Sequence, residues 1–239
     1  MAMLVEMIDT GRWSQRLLRS MDWKVFEGLC AEALLHAGYS VTRSPRKMLD
    51  GIDLVIRHSS AVSAGPEEAS GIAVHCERSH LPISVRQVGE FYATATEAGF
   101  NQGVFVTTGT FHRRADQVFG SREAFQLITG RQFLESIEDL GEAVSRRLLA
   151  EVTRLRDYTV PTCPSCDLKM VDAAGSSLDL RWGKKSWVCR NRESLGCLRS
   201  MEGSAAKTAT RIRSEGSRLV IGRSLPDASF PADLWRIVP

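Results

Sequence analysis

Four strand-length apolar runs limit what this chain can become: Ile52 to Arg57, Ile72 to Glu77, Gly103 to Thr108 and Phe125 to Ile128. Each is bounded by turn-forming residues, and amphipathic helix patterns lie between the later ones. Strands alternating with helices predict a mixed α/β sheet with helices on both faces and right-handed crossovers. Ahead of them, Asp22 stands as an N-cap. Trp23, Phe26, Leu29, Cys30, Ala33, Leu34 and Ala37 then recur at three- and four-residue steps until Gly38 stops the helix. A first strand follows over Tyr39 to Thr42, and residues 58–70 read as a hairpin loop. Ser84 and Gln87 form a capping box for a helix that carries Val85, Val88, Phe91, Tyr92 and Ala95 and ends at Gly99. A short helix is expected to carry Phe111, Ala115, Val118 and Phe119, and a long one runs from Gln132 to Asp157 with a break at Gly141. A further short helix is expected over residues 1–20, around Trp13, Leu17 and Leu18.

Two of the apolar runs carry carboxylates that packing would not choose. Asp53 sits between Ile52 and Leu54, and Glu77 ends the run of Ile72, Ala73 and Val74. Strand ends facing water and a shared divalent cation both fit that spacing. Glu27, at the border of the first helix's buried stripe, reads as a solvated edge unless something else recruits it.

The chain changes character near Pro161. Residues 158–239 carry 13 Lys and Arg against 8 Asp and Glu, although the 239-residue chain has a net charge of only +3. A basic terminal part suits a polyanionic partner. Cys163-Pro-Ser-Cys166 is a tight knuckle that can place two thiolates on one tetrahedral ion, and Cys189 with Cys197 offers the second pair. Cys30 and Cys76, in apolar segments, read as small core residues. No apolar run approaches a membrane span and the N-terminus has no signal-peptide layout, so a cytoplasmic location is expected.

The cysteine segment resembles the topoisomerase-type zinc ribbon, with Met170 and Val171 after the knuckle and Trp187-Val-Cys189 as the aromatic strand. The resemblance implies bound Zn²⁺. Arg181, Lys184, Lys185, Arg190 and Arg192, interleaved with Trp182 and Trp187, suit contact with a nucleic-acid backbone. Lys169 lies where it would offset thiolate charge.

Taken in order, Asp22-Trp-Lys-Val-Phe-Glu27, His36-Ala-Gly-Tyr39, Gly51-Ile-Asp53, Val74-His-Cys-Glu-Arg78, Gly103-Val-Phe-Val-Thr-Thr108 with Phe111 and Ala115, and Leu127-Ile-Thr-Gly130 resemble an Mrr-like (type IV) restriction endonuclease domain of the PD-(D/E)xK nuclease superfamily. That resemblance implies a restriction-endonuclease-like fold and hydrolysis of DNA phosphodiesters with Mg²⁺ or Mn²⁺. It makes Asp53 the metal carboxylate and Glu27 a helix carboxylate that completes the site. His75 then stands where the family has Glu or Gln, and Glu77 where it has Lys. Glu77 becomes a base or second ligand, with His75 assisting. The expected organisation is an Mrr-like nuclease domain over residues 1–157, a zinc ribbon over 158–200 and an unassigned extension over 201–239. DNA is the expected partner and a homodimer stays open. The competing expectation is a catalytically silent DNA-binding protein that keeps the nuclease fold.

Overall fold

The computed structural model describes residues 11–44, 51–58, 71–120, 124–154, 157–173, 186–191 and 197–202. The hairpin expected over residues 58–70 lies outside these apart from His58, as does most of the C-terminal extension.

Helix α1 (Gln15–Ser20) is capped by Ser14, whose hydroxyl accepts the Leu17 N–H, and it buries Leu17 and Leu18. Helix α2 (Trp23–His36) buries Phe26, Leu29, Cys30, Ala33 and Leu34, the stripe that the sequence spacing predicts. Strands β1 (Tyr39–Arg43), β2 (Leu54–His58), β3 (Ile72–Glu77), β4 (Gln102–Thr107) and β5 (Phe125–Ile128) form one sheet in sequential order. The first three pair antiparallel and the last three parallel, so the sheet changes sense at β3. Helix α3 (Val85–Glu97) has the expected Ser84–Gln87 capping box, and α4 (Arg113–Phe119) connects β4 to β5.

Strand alternation divides the core in two. Leu54, Ile56, Ile72, Val74, Cys76, Val104 and Val106 face α1, α2, α5 (Gly130–Asp139) and α6 (Glu142–Arg154). Val55, Ala73 and Phe105 face α3 and α4, against Val88, Phe91, Phe111 and Phe119. Strands β3 and β4 are thus packed on both sides, which explains their nearly unbroken apolar sequence.

The helix expected after Gln132, with its break at Gly141, is two helices. Gly141 adopts φ +91°, a left-handed conformation that ends α5 and lets α6 leave at a new angle. Phe111, expected on the short helix, lies before it, and α4 buries Ala115 and Phe119 while Val118 is 41 % exposed. In the cysteine region, β6 (Val171–Asp172), β7 (Ser186–Val188) and β8 (Ser200–Glu202) make a second antiparallel sheet. Strand β8 runs past the ribbon boundary expected at residue 200.

Gly130, the first residue of α5, donates its N–H to Gly109 O at 2.9 Å and presses on the end of β4. A Cβ there would lie 2.3 Å from the Thr108 carbonyl oxygen, which is backbone and cannot rotate away. Gly130→Ala is therefore expected to destabilise the domain by about 1–3 kcal/mol. Thermal melting reads this as a fall of several degrees, and an unchanged midpoint would refute the contact.

Candidate nuclease site

Asp53 lies just before β2 and is pinned on both sides by backbone bonds. Its N–H donates to Val74 O at 2.9 Å and its carbonyl accepts Ser44 N–H at 2.8 Å. Its side chain is fixed as well, because Oδ2 accepts the Cys76 N–H at 2.7 Å. The antiparallel pairing of β2 with β3 carries this carboxylate to the C-terminal half of β3, where His75 and Glu77 stand on one face.

The three side chains form a line with the imidazole in the middle. His75 Nδ1 lies 2.9 Å from Asp53 Oδ2, and His75 Nε2 lies 3.5 Å from Glu77 Oε2. The ring stacks on Phe91 at a centroid distance of 5.7 Å and meets Phe105 edge-on at 4.7 Å. Burial against these rings opposes the charged form of His75. The Asp53 and Glu77 carboxylates outweigh it and raise the imidazole pKa to about 10. At neutral pH His75 is an imidazolium between two carboxylates. The Asp53, His75 and Glu77 side chains are only 28 %, 19 % and 23 % exposed, so water screens these charges poorly.

Glu27 reaches the region from the other side. It is on α2, buried, and its Oε1 sits 2.8 Å from Arg43 Nη1. The solvated edge that sequence reasoning assigned it is thus a buried carboxylate paired with a half-exposed arginine. Cys76, between His75 and Glu77, points to the α2 face and meets Cys30 there. The hydrogen bond it donates to Cys30, then burial, then the nearby Asp53 and Glu27 charges push its thiol well above the usual range. Asp53 and Glu27 therefore flank Cys76, while His75 and Glu77 lie on the α3 face. Arg78 also turns away from the site. It is buried and its guanidinium is drawn below the usual range by burial, against the pull of Asp22 and Glu77.

Sequence reasoning missed the residues that hold this group. Thr107 lies opposite Glu77 in the parallel register and its hydroxyl accepts the Gly109 N–H at 3.1 Å. Thr108 accepts the Ser79 N–H at 3.1 Å and donates to Ser79 O at 3.2 Å, which ties the chain after Glu77 to the end of β4. The unusual Thr-Thr pair ending an apolar run was the available signal. Arg43 was readable only from register, as the β1 residue opposite Leu54.

The donor chemistry of two carboxylates and an imidazole suits a hard divalent ion. His75 could join the carboxylates as a ligand only after losing the proton that they stabilise. In the arrangement seen, however, the ring fills the gap. Among the described residues, the one group of three or more His, Cys, Asp or Glu whose ligand atoms share a common centre is Cys163, Cys166, Cys189 and Cys197.

Those four thiols lie within 4.8 Å of one another, with Cys163 and Cys197 sulfurs 3.9 Å apart. A tetrahedral zinc at about 2.3 Å from each sulfur sets sulfurs about 3.8 Å apart, so the cluster fits zinc. Asp167 makes the knuckle turn at φ 56°, and its N–H donates to Cys163 O at 2.9 Å. Lys169 does not face the thiols as expected. Its ammonium donates to Val160 O at 2.9 Å and to Asp22 Oδ2 at 3.2 Å. Of the residues expected to bind nucleic acid, Arg190 is exposed beside the second cysteine pair, and Arg181, Lys184, Lys185 and Arg192 lie outside the described residues.

Comparison with known proteins gives the following. A family model described as a restriction endonuclease, the Mrr catalytic domain, matches residues 18–137, half of the chain. Among solved structures, the DNA modification-dependent restriction endonuclease AspBHI aligns with 19% identity and a TM-score of 0.36. That alignment covers 64% of this chain and 44% of that one. The MspJI restriction endonuclease, solved in complex with a 27-mer oligonucleotide, aligns with 22% identity and a TM-score of 0.36, over 56% of this chain and 32% of its own. This chain thus spans less than half the length of either. No curated protein matches it. No described helix is long and apolar enough to cross a membrane.

The raised pKa of His75 has a sign that can be measured. A folded-state value near 10, above the unfolded 6.5, gives stability that is complete below pH 6.5 and lost as pH rises toward 10. Metal-free wild type is expected to lose melting temperature across that window relative to His75→Gln. Parallel curves for the two proteins would remove the imidazolium from the site.

Proposed function

The chain belongs to the Mrr-type restriction endonuclease family, and from that premise we propose that it hydrolyses DNA phosphodiesters at Asp53, His75 and Glu77. The observation that carries this reading is the His75 ring held between the Asp53 and Glu77 carboxylates. The family resemblance implies a metal carboxylate, a second acidic or amide group and a lysine. Here the second carboxylate and the cation have exchanged places along β3, with the cation at 75 and the carboxylate at 77. The charge inventory is kept, so the Lys-to-Glu difference at 77 does not by itself empty the site of positive charge.

Phosphodiester hydrolysis needs an oriented water, a proton acceptor and positive charge against the phosphoryl oxygens. Glu77, at the end of β3 and about a quarter exposed, is the group placed to orient water and take its proton. His75 supplies positive charge that Phe91 and Phe105 keep from wandering. Asp53 is held still by the Cys76 N–H, which fixes the carboxylate just before β2. A Mg²⁺ or Mn²⁺ ion held by Asp53 and Glu77 would require the His75 ring to leave the gap between them, and would then polarise the phosphate and acidify a bound water. DNA is the partner this reading requires. Zinc at the four cysteines, a cytoplasmic location and a homodimer that cuts both strands complete it.

One observation favours a second reading. The His75 ring occupies the gap between the carboxylates, so a closed site on a DNA-binding protein is the alternative. Methylated and unmethylated supercoiled plasmids incubated with Mg²⁺ or Mn²⁺ separate the two. Nicking or linearisation by wild type is expected to fall by about 10²-fold or more in Asp53→Asn and Glu77→Gln. Intact plasmid under all ions, together with salt-sensitive DNA binding that Asp53→Asn leaves unchanged, would establish the silent binder instead.

A further inference from the structure

We propose that the four-cysteine module is keyed into the nuclease domain by Asp22, so that a metal ion at the cysteines holds the start of α2 in place. Asp22 occupies the N-cap position of α2, and its backbone carbonyl accepts the Phe26 N–H at 3.0 Å. Its side chain makes no capping bond. An Asp at this position ordinarily satisfies one of the orphan N–H groups of the first turn. Here the carboxylate, 1 % exposed, is spent on the knuckle. Oδ1 accepts the Thr162 N–H at 3.0 Å, and Oδ2 accepts the Thr162 hydroxyl at 2.6 Å and the Lys169 ammonium at 3.2 Å.

Neighbouring residues repeat the connection. The Asp22 N–H donates to Tyr158 O at 2.7 Å, the Trp23 indole N–H donates to Thr162 O at 2.9 Å, and Lys24 pairs with Asp167 at 3.0 Å. Three consecutive residues of the nuclease domain are therefore bound to the segment that carries Cys163 and Cys166. The knuckle is itself closed by Cys163 N–H on Leu168 O and by the Thr162–Lys169 bridge. A metal ion that fixes the two thiols fixes Thr162 and Lys169 with them.

Asp22 also acts on the residue that follows β3. Arg78, the residue after Glu77, is buried with Nη1 unpartnered, and Asp22 is the foremost charge opposing its desolvation. Helix α2 then carries Glu27 to Arg43 and Cys30 to Cys76, whose N–H holds Asp53. Loss of the knuckle would leave the Asp22 carboxylate buried without its three donors, at the head of the helix that supports the carboxylate site.

The test uses the full chain loaded with zinc and does not depend on DNA cleavage, so it stands or falls apart from the nuclease reading. Serine is as good an N-cap as aspartate but cannot bridge Thr162 and Lys169. Asp22→Ser is expected to release zinc to a chelating dye about tenfold faster than wild type, with Asp22→Asn between the two. Removing zinc from wild type is expected to lower hydrogen-exchange protection of the α2 amides from Phe26 to Cys30, whereas in Asp22→Ser protection is low with or without zinc. Should Asp22→Ser fail to fold, Lys169→Met carries the same two comparisons. Wild-type release rates in the variants, with α2 protection indifferent to zinc, would overturn the proposal.

Discussion

Everything in this domain hangs on β3 being packed from both sides. Its even-numbered residues, Ile72, Val74 and Cys76, are committed to α2, and Ala73 lies against the α3 layer. The strand cannot slip by one residue without driving its apolar set into the wrong layer. That fixed register is what brings His75 and Glu77 to the Asp53 carboxylate and sends Arg78 to the opposite side. The site is a by-product of core packing in this sense. Its geometry is as rigid as the two clusters that enclose the strand.

The His75 ring shows how such a strand can hold a positive charge between two carboxylates. Burial disfavours the ring's charge, and the carboxylates on either side together outweigh it and raise its pKa to about 10. Such a cation and an ammonium are not equivalent in shape. An imidazolium presents two donors in a plane, whereas a lysine brings a mobile point charge on a long stem. With Phe91 and Phe105 against the ring, the cation here is confined to one orientation.

The fold was largely legible because its signals are local. The α2 stripe, the Ser84–Gln87 box and the span of β3 depend on spacing and capping, and the structure follows them nearly to the residue. The family pattern singled out Asp53, His75 and Glu77, and the antiparallel register of β2 on β3 does bring them together. What could not be read were partners far apart in sequence. Glu27 looked solvated until Arg43 was placed across from it, and Lys169 looked like a counterion for thiolates until Asp22 claimed it. Asp22 itself illustrates the limit most clearly. Position marks it as a cap, but only the tertiary structure shows a carboxylate with a nearer set of donors 140 residues away.

That last contact bears on how the protein could have been assembled and how it can be taken apart. A boundary near Pro161 looks like a natural seam, with a change of charge and the first cysteine just beyond it. Yet a fragment ending at residue 157 would lack Thr162 and Lys169 and would keep Asp22 and Trp23 with their partners gone. The cysteine module is thus a poor candidate for exchange among relatives as an interchangeable cassette. Recombination at that seam would have to carry a compensating change at position 22, which ties the inheritance of the two parts together.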